Sequence, residues 1–495
     1  MGSHQKVNYG DKPILLFTSI PATGHITPTL RIASALHARG WPVFYLGPTA
    51  HKATISATGV QFLPFLDDAD FNDLTYFVPQ GEGAITEKDA VVQGTTSEPT
   101  WRDRVFSDFR EFFISPIPAR HRSLCAALTH IHQLFPPSSA RVVVVAESTS
   151  NFLLPLFHGA PLPPSIPKPI GSIALSVMIP PLRSVDIPPL VSEPIEFDTT
   201  PAYRERVAKI WRDWEMETRG LKELLVEKVE QAGGKDFAKA METREREKGR
   251  ESWALLSGEC FVGYDHVCQI GVESWFYKTE EGWPANWRFV GAVPKSVPVL
   301  EEAKQALVDE VKLAREKEGK KVVVVAQGTV EIDPRHLILP TIQALGGREE
   351  DTLVVAILGH RGRTLPKDVA VPANAKVVDY LAYDAILPHT DVFVSNAGYG
   401  AVMHGIGHGV PMVVAGEEQD KKENVVRVQW RGHGVKLSKS WRDDKEYVKE
   451  LAEAVGKIMD EEEGREVRKR AMELKEEADS IDCIKTVEEC LSSYL

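Results

Sequence analysis

Two glycines after a short apolar run are the first residues in this chain placed for chemistry. Val392–Val394 reads as a buried strand, and Asn396–Gly400 as a turn that opens a short helix. Gly398 and Gly400 carry no Cβ, so the backbone there can approach a ligand closely. The helix behind them, entered through Tyr399, presents unpaired N–H groups and the positive end of its dipole. A phosphate or diphosphate is the natural occupant of such a turn. No Gly-Lys-Ser/Thr follows, and the glycines do not complete a dinucleotide fingerprint. A polar cluster, Glu418 to Asn424, falls where the next helix should begin.

A second reactive stretch is Pro21-Ala-Thr-Gly-His-Ile-Thr27, which follows the apolar strand Ile14–Thr18. Open parallel sheets bind ligands at the carboxyl ends of their strands, so His25 is expected to face a cleft. A neutral imidazole there can act as a general base. Glu147 ends the apolar run Val142–Ala146 and is expected on the same sheet edge, where its carboxylate would orient the ring. His404 and His408 have metal-ligand spacing on one helix, but the sequence offers no third ligand, so no metal site is expected. Asp67-Asp-Ala-Asp70 reads as a solvated acidic loop.

The elements that must hold these residues are α/β. Thr27-Pro28 signals a helix start, with Thr27 as cap and the helix running to Arg39. Val43–Leu46 then closes a βαβ unit with parallel strands. Residues 79–122 are polar and irregular, with Trp101, Phe106, Phe109, Phe112 and Phe113 at the spacing of a helix face that packs on the sheet. Residues 155–201 are proline-rich and read as a long loop; 201–250 read as helical, with Val207, Ile210, Trp211 and Trp214 on one face. Gly291–Pro298 is the best linker, and strands near 322–326, 353–358, 391–394 and 411–414 announce a second doubly wound unit.

The chain has 495 residues, enough for two or three domains. A net charge of −12 argues against nucleic acid or an anionic membrane as partner. Five cysteines without metal spacing suit a reduced compartment, and no apolar run is long enough to cross a bilayer. Lys6 stands where a myristoylation signal needs Ser or Thr, so no acyl anchor is expected. A cytoplasmic location is the expectation.

The run Asp379–Asn424 resembles, in order and spacing, the nucleotide-sugar signature of the UDP-dependent glycosyltransferases. Gly24-His-Ile-Thr-Pro28 matches that family's Gly-His-x-x-Pro. The resemblance implies a GT-B fold of two Rossmann-like domains facing across a cleft. It places an acceptor domain at 11–290, a linker and first helix at 291–320, a UDP-sugar domain at 321–475, and a last helix at 476–495 that crosses back. It implies His25 as catalytic base with Glu147 in place of the usual Asp. Tyr380 would stack on uracil, Leu381 would offer its backbone to the base, and Tyr383 replaces a ribose-binding Gln. Asn396 replaces the phosphate-binding His, and Gly400 and Ala401 replace Asn and Ser. The helix N-terminus at Gly400–Val402, with Thr329 beside Gly328, would hold the diphosphate. His404 stands at a ribose-binding Glu, and Asp420 and Lys421 at the sugar-binding Asp and Gln. The implied reaction is inverting transfer of a sugar, glucose by family habit, from a UDP-sugar to a hydroxyl of a small apolar acceptor, without metal or cofactor. A sugar-nucleotide epimerase and a non-catalytic UDP-sugar-binding protein are the alternatives. The sequence is silent on oligomeric state.

Overall fold

A computed structural model describes residues 12–73, 100–135, 140–296, 299–331 and 333–495. Lys6, residues 79–99 and the last two linker residues lie outside them. Among the described residues two all-parallel sheets form. The first has seven strands in the order β3-β2-β1-β4-β5-β6-β7: β1 (Ile14–Thr18), β2 (Val43–Gly47), β3 (Gln61–Pro64), β4 (Val142–Glu147), β5 (Gly171–Ser176), β6 (His266–Gln269) and β7 (Trp287–Phe289). The second has six in the order β10-β9-β8-β11-β12-β13: β8 (Lys321–Ala326), β9 (Thr352–Ile357), β10 (Ala375–Val378), β11 (Val392–Ser395), β12 (Met412–Val414) and β13 (Gly434–Lys436).

Strands such as Val142–Glu147 are buried at every residue, because helices cover both sheet faces. Leu15 and Phe17 enter one apolar core while Ile14 and Leu16 enter another. The core on one face of the first sheet runs on into the second, through Ile270, Met403 and Val324. In each sheet the order reverses once, between β1 and β4 and between β8 and β11. Those two reversals open a crevice at the carboxyl ends of the strands, and ligand sites form there.

Two expectations need correction. The helix bearing His25 runs Thr23–Ala38, so Pro28 lies inside it rather than at its start. Proline is tolerated because only the Gly24 carbonyl loses a partner, and Gly24 is exposed. Residues 155–201 are not all loop: β5 is threaded through them and pairs β4 and β6, its apolar run masked by the prolines on either side. Residues 201–250 are helical as expected, in three helices, Pro201–Glu217, Arg219–Gln231 and Phe237–Glu247.

The chain passes between the units twice. The segment near Gly291 meets the return segment, with Lys295 3.5 Å from Asp479. A Cβ on Gly291, whose φ is +67°, would lie 2.9 Å from the Ala478 carbonyl. Helix Cys483–Leu491 then docks on the first unit, where Glu488 accepts bonds from Arg39 at 2.7 Å and from the Trp41 indole at 2.9 Å.

Candidate active site

A cleft of about 420 Å³ lies between the units and is lined from both strand-order reversals. On the first side β1 leads into helix Thr23–Ala38, which sets His25 in its first turn. The adjacent strand β4 ends in Glu147, whose side chain is fully buried. His25 Nδ1 lies 3.4 Å from Glu147 Oε2, at the outer limit of a hydrogen bond, and has no closer partner among the described residues. Burial disfavours the Glu147 charge, but attraction to His25 and bonds from Thr149 prevail and hold its carboxyl below the ordinary range. Thr149 donates through N–H and hydroxyl, each at 2.8 Å to Oε1, which fixes the carboxylate plane. Arg120, buried behind it and pushed down to about 9 by desolvation, remains a cation and supports the negative charge.

Asp73 and Arg120 carry no family motif and are not legible from spacing. Asp73 accepts from the Thr23 N–H at 2.8 Å, the Thr23 hydroxyl at 2.7 Å and His51 at 2.7 Å, so it ties down the helix end that carries His25. Burial opposes its charge, yet the bonds from His51 and Thr23 hold its carboxyl below the ordinary range. A depressed acid stabilises the fold fully above its unfolded value and loses that contribution as pH falls below it. Asp73→Asn should therefore cost about 1–3 kcal/mol at neutral pH. Chemical denaturation at stepped pH should show the gap from wild type closing below about pH 4. A gap that stays constant with pH would contradict this role.

On the second side β11 leads through Asn396 and Ala397 into helix Tyr399–His408, with Gly398 as cap residue. Ala397, not a glycine, takes the left-handed conformation at φ +58°. A Cβ on Gly398 or Gly400 would meet nothing within 4 Å, so this backbone faces open cleft. Gly328 and Thr329, after β8, lie opposite. Gly359 closes on them so tightly that a Cβ there would fall 2.1 Å from the Gly328 carbonyl. Tyr380, Leu381 and Tyr383 line the same wall, Tyr380 partly exposed and stacked on by Arg361. Asp420 and Lys421 line the floor, where burial pushes the Asp420 carboxyl up.

Four sequence expectations change here. The Val402 N–H already bonds the Gly398 carbonyl at 3.1 Å and its side chain is core, so the free helix end is Tyr399–Ala401. The Asn396 amide spends both donors, on the Gln327 carbonyl at 2.6 Å and Glu331 at 2.9 Å. The Tyr399 hydroxyl reaches across to Gln269 at 2.9 Å and to the Ile270 carbonyl, joining the two units. His404 and His408 do have a third companion: Asp384 Oδ1 lies 3.2 Å from His404 Nδ1 and 3.0 Å from His408 Nε2. The signal for it was one acid in the apolar run Leu381–Leu387. Glu331, also unanticipated, pairs with the buried ammonium of Lys421 at 2.8 Å.

Beyond the histidine the cleft turns apolar. Phe109 to Ile114 form a wide helical turn whose rings Phe109, Phe112 and Phe113 line it, facing Met178, Leu190 and Leu225. Asp70 bonds Thr49, and Asp67 pairs with Arg122 at the surface, away from the cleft. No helix among the described residues is long and apolar enough to cross a membrane.

Residues 346–491 match the family model described as "Erythromycin biosynthesis protein CIII-like, C-terminal domain". UDP-glucosyltransferase 1 of Beauveria bassiana is 35% identical over 84% of this chain and 83% of its own length. UDP-glucosyltransferase A1 of Starmerella bombicola is 28% identical over 97% of this chain and 92% of its own. Among solved structures, the glycotransferase of kitacinnamycin superposes with a TM-score of 0.58 at 16% identity, covering 98% of this chain and 100% of that one.

Proposed function

This chain belongs to the UDP-glycosyltransferase family, is a glycosyltransferase and has the GT-B fold, and from that premise we propose that it transfers glucose from UDP-glucose to a hydroxyl of a small, largely apolar acceptor. The observation that carries this reading is the meeting, in one cleft, of a carboxylate-oriented imidazole and an open helix N-terminus.

In this reading the first unit holds the acceptor against the Phe109–Phe113 wall. His25 takes the hydroxyl proton as the oxygen attacks the anomeric carbon from the side opposite the diphosphate, so configuration inverts. Glu147 stabilises the imidazolium that forms. The leaving diphosphate gains charge as the bond breaks. The N–H groups of Tyr399–Ala401, with Thr329, are placed to meet that charge without rearrangement. Tyr380 and Leu381 take the base, Tyr383 and His404 the ribose, and Asp420 the sugar hydroxyls, while the Lys421 ammonium stays beneath them, paired with Glu331. Glucose as donor is supported by the names of the two relatives and by Asp420; an apolar acceptor is supported by the ring-lined wall.

The test is to offer UDP-glucose, UDP-galactose and UDP-glucuronic acid with a panel of phenols and long-chain alcohols, and to read products by mass. Glucoside formation on apolar alcohols, several-fold faster than with the other donors, is the expected outcome. Sugar interconversion without any glycoside would instead favour an epimerase, and binding without turnover a non-catalytic role.

A further inference from the structure

We propose that Asp384, His404 and His408 form a binding site for a divalent transition metal of the zinc and cobalt class. The three ligand atoms lie within 4.8 Å of one another. The two histidines sit one helical turn apart on helix Tyr399–His408, their rings parallel to within 7°, and both aim a nitrogen at the same carboxylate oxygen. Metal–ligand bonds of about 2.1 Å in tetrahedral or octahedral geometry set neighbouring ligand atoms about 3.0–3.4 Å apart. The two contacts to Oδ1, at 3.2 and 3.0 Å, are hydrogen-bond distances that also fall within that edge length, so an ion can replace the shared protons with little movement of the ligand atoms.

The surroundings favour an ion over a loose polar cluster. Asp384 and His408 side chains are only 2% and 8% exposed, and His404 is 19% exposed on the cleft side. Asp384 is aimed by bonds to its other oxygen, from Arg31 at 2.8 Å and the Ser296 N–H at 2.9 Å, so Oδ1 is left to the histidine side. Such outer partners fix ligand orientation in known metal sites. Tyr383 packs its ring 5.3 Å from the His404 ring and limits its rotation. All three residues line the cleft, so further coordination positions are open to water or to an occupant of the cleft. Two imidazoles and one carboxylate select borderline cations; magnesium and calcium prefer all-oxygen sets. The Arg31 charge on the far oxygen opposes a cation and keeps the affinity moderate.

The experiment treats the full-length protein with chelator and titrates it with Co²⁺, following the visible d–d bands, with Zn²⁺ as competitor. One Co²⁺ per chain, displaced by Zn²⁺, is expected. His408→Ala should weaken binding at least about tenfold. Should that variant misfold by circular dichroism, His408→Gln retains a hydrogen-bonding side chain beside Asp384 and must show the same loss. Bands that survive either variant, sulfur-to-cobalt charge transfer pointing to the cysteines, or no d–d bands at all would overturn the site.

Discussion

Replacing His25 with Ala should lower kcat/KM by about 10²–10⁴-fold while the Kd for UDP stays unchanged. The ring is half-buried at the cleft, and its loss leaves the helix end still held by Asp73. Stability should therefore move little, and a thermal melt separates a chemical defect from a folding one. On the proposed reading the donor sits at the Tyr399–Ala401 helix end of the other unit, so the imidazole is expected to add nothing to nucleotide affinity. His25→Gln, which keeps a polar side chain but no base, should be as impaired as Ala. Turnover within about tenfold of wild type in either variant would remove general-base catalysis by this residue.

The second large effect is expected at Glu147. Changing it to Gln removes the charge but keeps the shape. Oε2 lies 3.4 Å from His25 Nδ1, so the ring loses its orienting partner and the imidazolium its stabilisation. A fall in kcat of about 10²-fold or more is expected, with KM for the donor unchanged. The same substitution removes the charge that favours the buried Arg120 cation and should cost about 1–3 kcal/mol, read by denaturant titration. Because the Glu147 carboxyl is held below its ordinary range, it is charged throughout neutral pH, and the rate deficit should be uniform there. A normal kcat in a destabilised variant would assign Glu147 to structure alone.

What could be read from sequence follows from how local each signal is. The strand–turn–helix around Gly398 is local: one apolar run, two glycines and a helix in 20 residues, and its position is visible by eye. The βαβ unit around His25 is equally local, but Pro28 argued for a later helix start than the one observed. Proline preference states only what its own ring permits, and an exposed Gly24 carbonyl made the earlier start tolerable. Asp73 and Arg120 bear on His25 through pairings 50 and 30 residues long, to Thr23 and to Ser150, and no periodicity records those. Asp384 was hidden differently. It precedes His404 by 20 residues, and only the parallel return through β11 lays its short helix beside Tyr399–His408. Short strands such as β10 and β13, at four and three residues, are below what alternation can register.

The two passages of the chain between the units lie against each other, at Gly291 with Ala478 and at Lys295 with Asp479. These adjoining straps join the units at one place, and the buried Tyr399 hydroxyl, bonded to Gln269 and to the Ile270 carbonyl, joins them at a second beside the cleft. The His25 edge and the Tyr399 edge are therefore held in register by packed core and by side-chain bonds such as Arg31 to Asp384, as well as by the covalent connections. Reagents held on the two sides would then meet in one fixed alignment, set by the joint itself.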